Sequence, residues 1–431
     1  MSFAPSNECK YRGAMIFSLD VRRARKGDCL ILHYGTKSKP GLVLIDGGPA
    51  QVYGPHLKPR LEEIRKARRL AEGEPLTVDL IMVSHIDDDH INGILELTHE
   101  LVDAKAARRP LPFKVLNLWH NTFDDIIASN PDELVASVKA SFGPASLAGE
   151  PETDGLDPDT AKVLASVGQG LRLRDDARAL GLGINSEFRG KLIKAPGRQP
   201  KDLPGGLKLT VAGPMEDELL ALQKEHAAFL SQMKKNKEAV AAFTDASVAN
   251  LSSIVVFAEA GGKKMLLTGD ARGDKILLGL EKIGLLPPGG KMKVDVLKMP
   301  HHGSDRNMET TFLERVVADH YVFSGNGEHG NPERKTLQML RDARKDENFL
   351  IHLTYPVEEI DAGRKEDWRK EQAKEKARKA TNPSTQVRPN WSEKNNSLRA
   401  FFADHPELEQ QVRFVEKSKP HVIDLLDKVG F

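Results

Sequence analysis

The sequence predicts an α/β protein. Two features carry that prediction: short apolar, partly β-branched runs set apart by glycine-containing turns, and helix-compatible segments lying between several of those runs. A third feature is a dense cluster of histidine and aspartate directly after one run, and it marks where such a fold would do its chemistry.

The strands read in order as follows. Residues 14–21 form a first strand, the turn Gly27-Asp28-Cys29 leads into a second at 30–34, and 41–45 form a third that ends in Asp46-Gly47-Gly48. Residues 58–71 are basic and helix-compatible, which suits a solvated face better than a phosphate-binding one. A buried strand at 76–83 delivers the His/Asp cluster, and a helix over 91–107 follows it. The strand at 115–119 ends in His120, where a hydrogen-bonded structural histidine is favoured over a ligand. The β pattern resumes at 207–211, and a long charged helix spans 216–242, with Lys234, Lys235 and Lys237 towards its end. A hairpin through Gly261-Gly262 joins 250–257 to 264–267, and further strands are expected at 294–300, 321–324 and 351–355.

The cluster is Ser84-His85-Ile86-Asp87-Asp88-Asp89-His90-Ile91-Asn92-Gly93. His85, Asp87 and Asp89 alternate, so an extended turn aims them at one point, and His90 adds a donor beside Asp89. Imidazole and carboxylate at this density suit a divalent metal, or two. The competing reading is an acidic turn that caps the helix through Asp88 or Asp89. Farther on, Thr268-Gly269-Asp270 places a carboxylate at a strand end behind a glycine. Pro300-His301-His302-Gly303-Ser304 places two histidines at another, whose diverging side chains let one bind metal while its neighbour contacts substrate or gives up a proton. The loop Gly325–Pro332 carries His329 and, directly before the proline, Asn331.

These motifs resemble the metallo-β-lactamase fold, whose HxHxDH signature appears here with Asp87 in place of the second histidine. The likeness is to the hydrolase domain at the C-terminus of bacterial competence DNA-uptake channel proteins, over roughly residues 14–100 and 206–355. The Pro-His-His-Gly-Ser run is also similar to that of the superfamily's phosphocholine esterases. The resemblance implies an αββα sandwich as a hydrolase domain at 14–355; residues 123–205, which do not match it, read as a helical insertion or lid that shapes substrate access, and 356–431 as a charged, mostly helical extension. It implies that Asp46 supports the metal loop from behind and that Asp270 bridges two ions. His85, Asp87 and His302 would hold one ion, and Asp89, His90 and His329 the other, with His329 and Asn331 as alternatives for the last position. Asp89 and His301 are the expected catalytic residues. Zinc or manganese would serve, and Asp87 shifts the balance somewhat towards manganese. The implied activity is that of a dinuclear metal-dependent hydrolase, a phosphodiesterase or nuclease using a metal-bridging hydroxide on a phosphodiester, DNA or RNA included. The alternatives are acyl ester, lactam or thioester hydrolysis, and a binding or regulatory module working through the 123–205 insertion and the basic tail.

Composition sets the outer limits. The 431 residues, 39% hydrophobic, can build a large core. A formal net charge of +1 makes no global case for nucleic acid or membrane. Cys9 and Cys29 supply neither a disulfide framework nor a thiolate cage, which fits a reducing cytoplasm. No apolar run of signal-peptide length follows residues 1–12, and none approaches the ~18 residues of a membrane span. A basic segment at 364–379 containing Trp368 reads as a solvated helix or as a contact for a phosphate backbone. The tail at 398–431 has apolar spacing suited to docking on the core or on a second subunit.

Overall fold

A computed structural model describes residues 13–122, 158–196 (backbone alone for 158–167), 199–217, 219–220, 252–345, 347–417 and 419–431. The expected reading of residues 1–12, much of the insertion and most of the charged helix at 216–242 lie outside the described residues.

Among the described residues, two mixed β-sheets, of seven and eight strands, face each other. In the first, β1 (Met15–Val21), β2 (Leu30–Thr36) and β3 (Lys39–Ile45) are antiparallel. β4 (Leu76–Met82), β5 (Phe113–Trp119) and the short β6 (Gly183–Ile184) then extend the sheet in parallel from β3. In the second, β7 (Lys201–Leu203), β8 (Leu207–Gly213), β9 (Val255–Ala260) and β10 (Lys263–Leu267) are antiparallel. β11 (Met292–Lys298), β12 (Val316–Phe323), β13 (Leu350–Leu353) and β14 (Val412–Phe414) continue it in parallel. β15 (Val422–Asp424) pairs antiparallel with β1.

Alternation within the strands decides what each face buries. Phe17, Leu19, Leu32 and Val43 of the first sheet meet Leu209, Val256, Met265 and Val296 of the second in one buried cluster between the sheets. The opposite faces pack helices: α1 (Lys58–Ala67), α2 (Asp88–Ala106) and α3 (Pro158–Leu180) cover the first sheet. α4 (Gly273–Lys282), α5 (Thr310–Arg315), α6 (Arg334–Ala343) and the start of α7 (Val357–Thr381) cover the second. This is the αββα sandwich.

Three expectations need adjustment. Arg60, placed on a solvated face of α1, is buried, with Nε 2.6 Å from Asp20 and NH2 donating to the Phe431 carbonyl at 2.8 Å. The segment 351–355, which as a strand could close the second sheet, forms β13 inside it, and β14 lies at the edge. The tail at 356–431, expected as a helical extension, supplies α7 and three short helices but also β14 and β15, so it completes an edge of both sheets. Among the described residues no helix is long and apolar enough to cross a membrane.

Candidate metal centre

The centre sits where the C-terminal ends of β3, β4, β10 and β11 come together at the sandwich edge. β4 runs out at Met82, and the chain turns through Ser84 and His85 into α2. The N-cap of α2 is Asp87, and its side chain makes no capping hydrogen bond, so the carboxylate is not spent on the helix. The Ser84 carbonyl accepts from the Ile254 amide at 2.8 Å, tying the loop to the second sheet just before β9.

Asp46, at the end of β3, organises the loop from behind. Its carboxylate accepts from the Ser84 amide and hydroxyl, both at 2.7 Å, and from His90 Nδ1 at 2.8 Å. That last bond fixes the His90 ring with Nε2 facing the centre. Asp46 holds a left-handed backbone (φ 56°), which an aspartate tolerates and the surrounding bonds enforce.

β10 brings Asp270. Gly269 before it is left-handed (φ +51°), and an added Cβ would sit 2.9 Å from the Ser84 Cβ, so glycine lets the two loops approach. β11 runs parallel beside β10, so its C-terminal end delivers His301 and His302 next to Asp270. His301, His302 and Gly303 all have positive φ, and the His301 amide donates to the Gly269 carbonyl at 3.1 Å. This turn splits the two rings: His302 is buried, while the His301 side chain keeps 27% exposure.

Asp270 is the meeting point. One oxygen lies 3.3 Å from His90 Nε2. The other lies 3.4 Å from His302 Nε2, 3.6 Å from His301 Nε2 and 3.9 Å from His85 Nε2. Asp87 is 3.9 Å from His85 Nε2, and Asp89 is 3.6 Å from His302 Nε2. Asp28, His90, Asp270 and His302 bring donor atoms within 4.8 Å of one another, all buried, a grouping that could hold a metal ion.

The donor set fits a divalent ion. His85 Nε2 and Asp270 Oδ1 are buried without a hydrogen-bond partner, an arrangement costly for polar atoms unless an ion completes it. Burial alone would lower the His302 pKa, yet Asp270 and Asp28 raise it to about 10. His90 is likewise held well above its usual value, against burial, by Asp270 and Asp46. His85 moves the other way, lowered by burial and by the neighbouring His90. The carboxylates thus create a field that retains positive charge in a buried place, and metal and protons compete for it.

Placement bears on two residues of the expected partition. His302 lies 3.3 Å from His90 Nε2 and 3.6 Å from Asp89, and it shares one Asp270 oxygen with His85. His329 lies on an exposed turn, Glu328–Gly330, and lines a groove of about 590 Å³ against α7 together with Arg25, Lys370 and Lys374. Asn331, by contrast, is buried: its Nδ2 donates to the His301 carbonyl at 3.4 Å, and among the described residues its Oδ1 has no hydrogen-bond partner. His120 is buried outside the group, with its backbone bonded to the Asn185 side chain.

Sequence reasoning did not assign Asp28, Lys298, Ser84 or Ser253. Lys298, at the end of β11, is fully buried, forms a short ion pair with Asp28 and donates to the Gly269 carbonyl at 3.3 Å. Ser253 accepts from the Asp270 amide at 3.2 Å. The only signal for Asp28 was its position in the Gly-Asp turn between the first two strands.

Comparison with known proteins agrees with this geometry. Residues 36–164 match the model of the metallo-beta-lactamase superfamily. The match spans a metallo-β-lactamase-like segment that begins at the end of β2 and includes the His85–His90 loop. A stretch of 118 residues, 26% of the chain, is 31% identical to ComE operon protein 3 of Bacillus subtilis (strain 168), and it covers 14% of that protein's length.

Proposed function

We propose that the chain is a dinuclear metal-dependent hydrolase of phosphodiesters, those of DNA or RNA included. The observation that supports it most is the convergence on one carboxylate: His85 and His302 approach one oxygen of Asp270, and His90 approaches the other. Two divalent ions held there supply an activated water and stabilise charge on the attacking and leaving oxygens. Asp46 and Ser84 keep His85 and His90 oriented, and Gly269 allows Asp270 to reach both groups. His301, partly open to solvent beside Asp270, would hold a proton at the leaving oxygen. Asp87, Asp89 and Asp270 make the donor set oxygen-rich, which favours manganese relative to an all-histidine site. The diester preference draws on that carboxylate content and on the Pro300–Gly303 turn.

The test is turnover of bis(p-nitrophenyl) phosphate and of single-stranded DNA and RNA by manganese- or zinc-loaded protein, beside p-nitrophenyl acetate. Diester cleavage that disappears in Asp270→Asn is expected. Diester cleavage no greater than that of Asp270→Asn would sink the proposal, and ester turnover in its place would point to acyl chemistry.

A further inference from the structure

The two histidines that face each other across the centre are backed by carboxylates in the same way. His90 and His302 present their Nε2 atoms to one point, 3.3 Å apart. Behind His90, its Nδ1 is 2.8 Å from Asp46. Behind His302, its Nδ1 is 3.4 Å from Asp28 Oδ1, close but short of a formed hydrogen bond, and among the described residues neither atom has a hydrogen-bond partner. The second oxygen of Asp28 is taken by the ammonium of Lys298, which is buried and anchored to the Gly269 carbonyl at 3.3 Å. The Asp28 amide in turn bonds the Asp89 carbonyl at 3.3 Å, so the β1–β2 turn is fastened to the metal loop.

We propose that Asp28 is a positioning residue rather than a metal ligand, and that Lys298 holds it in that role. Asp28 accepts the Nδ1 proton of His302 and so fixes the tautomer whose Nε2 lone pair faces the ion. Lys298 occupies the oxygen that would otherwise be free to swing onto the metal, and its charge sits 4.0 Å from Asp270. A cation fixed that near the centre is compatible with Asp28 backing a ligand and works against its joining the ion's own shell. This inference rests on the metal-centre part of the proposed function and is independent of the substrate.

The experiment compares wild type, Asp28→Asn, the charge-neutral double variant Asp28→Asn/Lys298→Met, and Asp270→Asn. Metal stoichiometry and affinity are read by titration calorimetry and elemental analysis. On zinc-loaded protein, the His302 Nδ1–H resonance is read by ¹⁵N–¹H NMR and assigned by its loss in His302→Gln. The double variant removes both charges together, so no buried ion is left unpaired and the fold is expected to persist. The expected result is unchanged stoichiometry in both Asp28 variants, affinity weaker by about 10- to 100-fold, and a displaced His302 Nδ1–H signal. Loss of one ion per chain in the Asp28 variants would make Asp28 a ligand and overturn the proposal. Unchanged affinity with an unmoved signal would overturn it as well. Wild type that binds no metal would overturn both this inference and the metal-centre reading.

Discussion

The approach of α2 to the end of β3 makes Gly93→Ala a sharp test of how the centre is built. Gly93 is helical, so on intrinsic propensity alone alanine should stabilise α2 by about 1 kcal/mol. Tertiary contact opposes that gain. A Cβ on Gly93 would lie 2.6 Å from the Gly47 carbonyl carbon and closer still to its oxygen, whereas ordinary contact begins near 3.4 Å. The first turn of α2 must therefore retreat from the Gly47-Gly48 turn by at least about 0.8 Å, the difference of those two distances. Two backbone bonds span that gap: Gly47 N–H to His90 O at 2.7 Å and Gly93 N–H to Gly48 O at 3.0 Å. Losing them costs about 1 kcal/mol each, and overpacking adds about 1–3 kcal/mol. After the propensity gain is subtracted, the net destabilisation is about 2–4 kcal/mol. The same retreat pulls His90 and Asp89 from Asp270 and His302, and a misplacement near 1 Å costs about 100-fold in turnover. Urea unfolding of metal-stripped protein measures the first quantity, and elemental analysis with a diester assay measures the second. A Gly93→Ala protein as stable as wild type, with its metal content intact, would refute the argument that these two glycines set the loop spacing.

Other outcomes follow from the same geometry. Asp46→Ala removes the three buried bonds that orient Ser84 and His90, so metal affinity should fall by about 10- to 100-fold, measurable by calorimetry. His329→Ala should leave metal stoichiometry unchanged, because the side chain lies on the exposed turn, while Asn331→Ala should weaken binding at the His301 turn; elemental analysis of both separates the two positions. Away from the centre, His352 bonds His320 at 2.9 Å and His421 at 2.8 Å, and burial together with those two neighbours pushes its pKa down from 6.5 to about 2. The unfolded chain takes a proton near 6.5 that the native chain refuses, so this contribution to stability is full above that pH and is lost as pH falls towards about 2. The loss is about 1.4 kcal/mol per unit. Urea midpoints at about pH 7.5 and about 5.5 should therefore show a shallower pH dependence for His352→Leu than for wild type, and equal slopes would contradict the assignment.

Much of the sandwich was legible because its strands are short, apolar and punctuated, and each expected strand from 14–21 to 351–355 overlaps an observed one. The tail was not. β14 and β15 are three residues each, too short for alternation to register, and what makes them strands is pairing with β13 and β1, far away in sequence. Arg60 shows the same limit: among the basic residues of its helix it looks solvated, and only the fold puts Asp20 next to it.

The centre divides along the same line, between chemistry that is local in sequence and chemistry that is assembled. His85, Asp87, Asp89 and His90 fall within six residues, so their common purpose shows in their spacing. Asp28 and Lys298 carry no such mark. A Gly-Asp turn is common, and a lysine at a strand end reads as a solvated cap to the apolar run before it. What gives them a role is the parallel register of β10 and β11, which sets Lys298 behind Gly269, and the β1–β2 turn, which lays Asp28 against both Lys298 and His302. A lysine buried that completely is costly unless paired, so its pairing with a carboxylate beside three further metal-type donors ties the stability of the edge to the chemistry of the centre. The proposed ligands can thus be read from motifs, whereas the residues proposed to aim them have to be read from the fold.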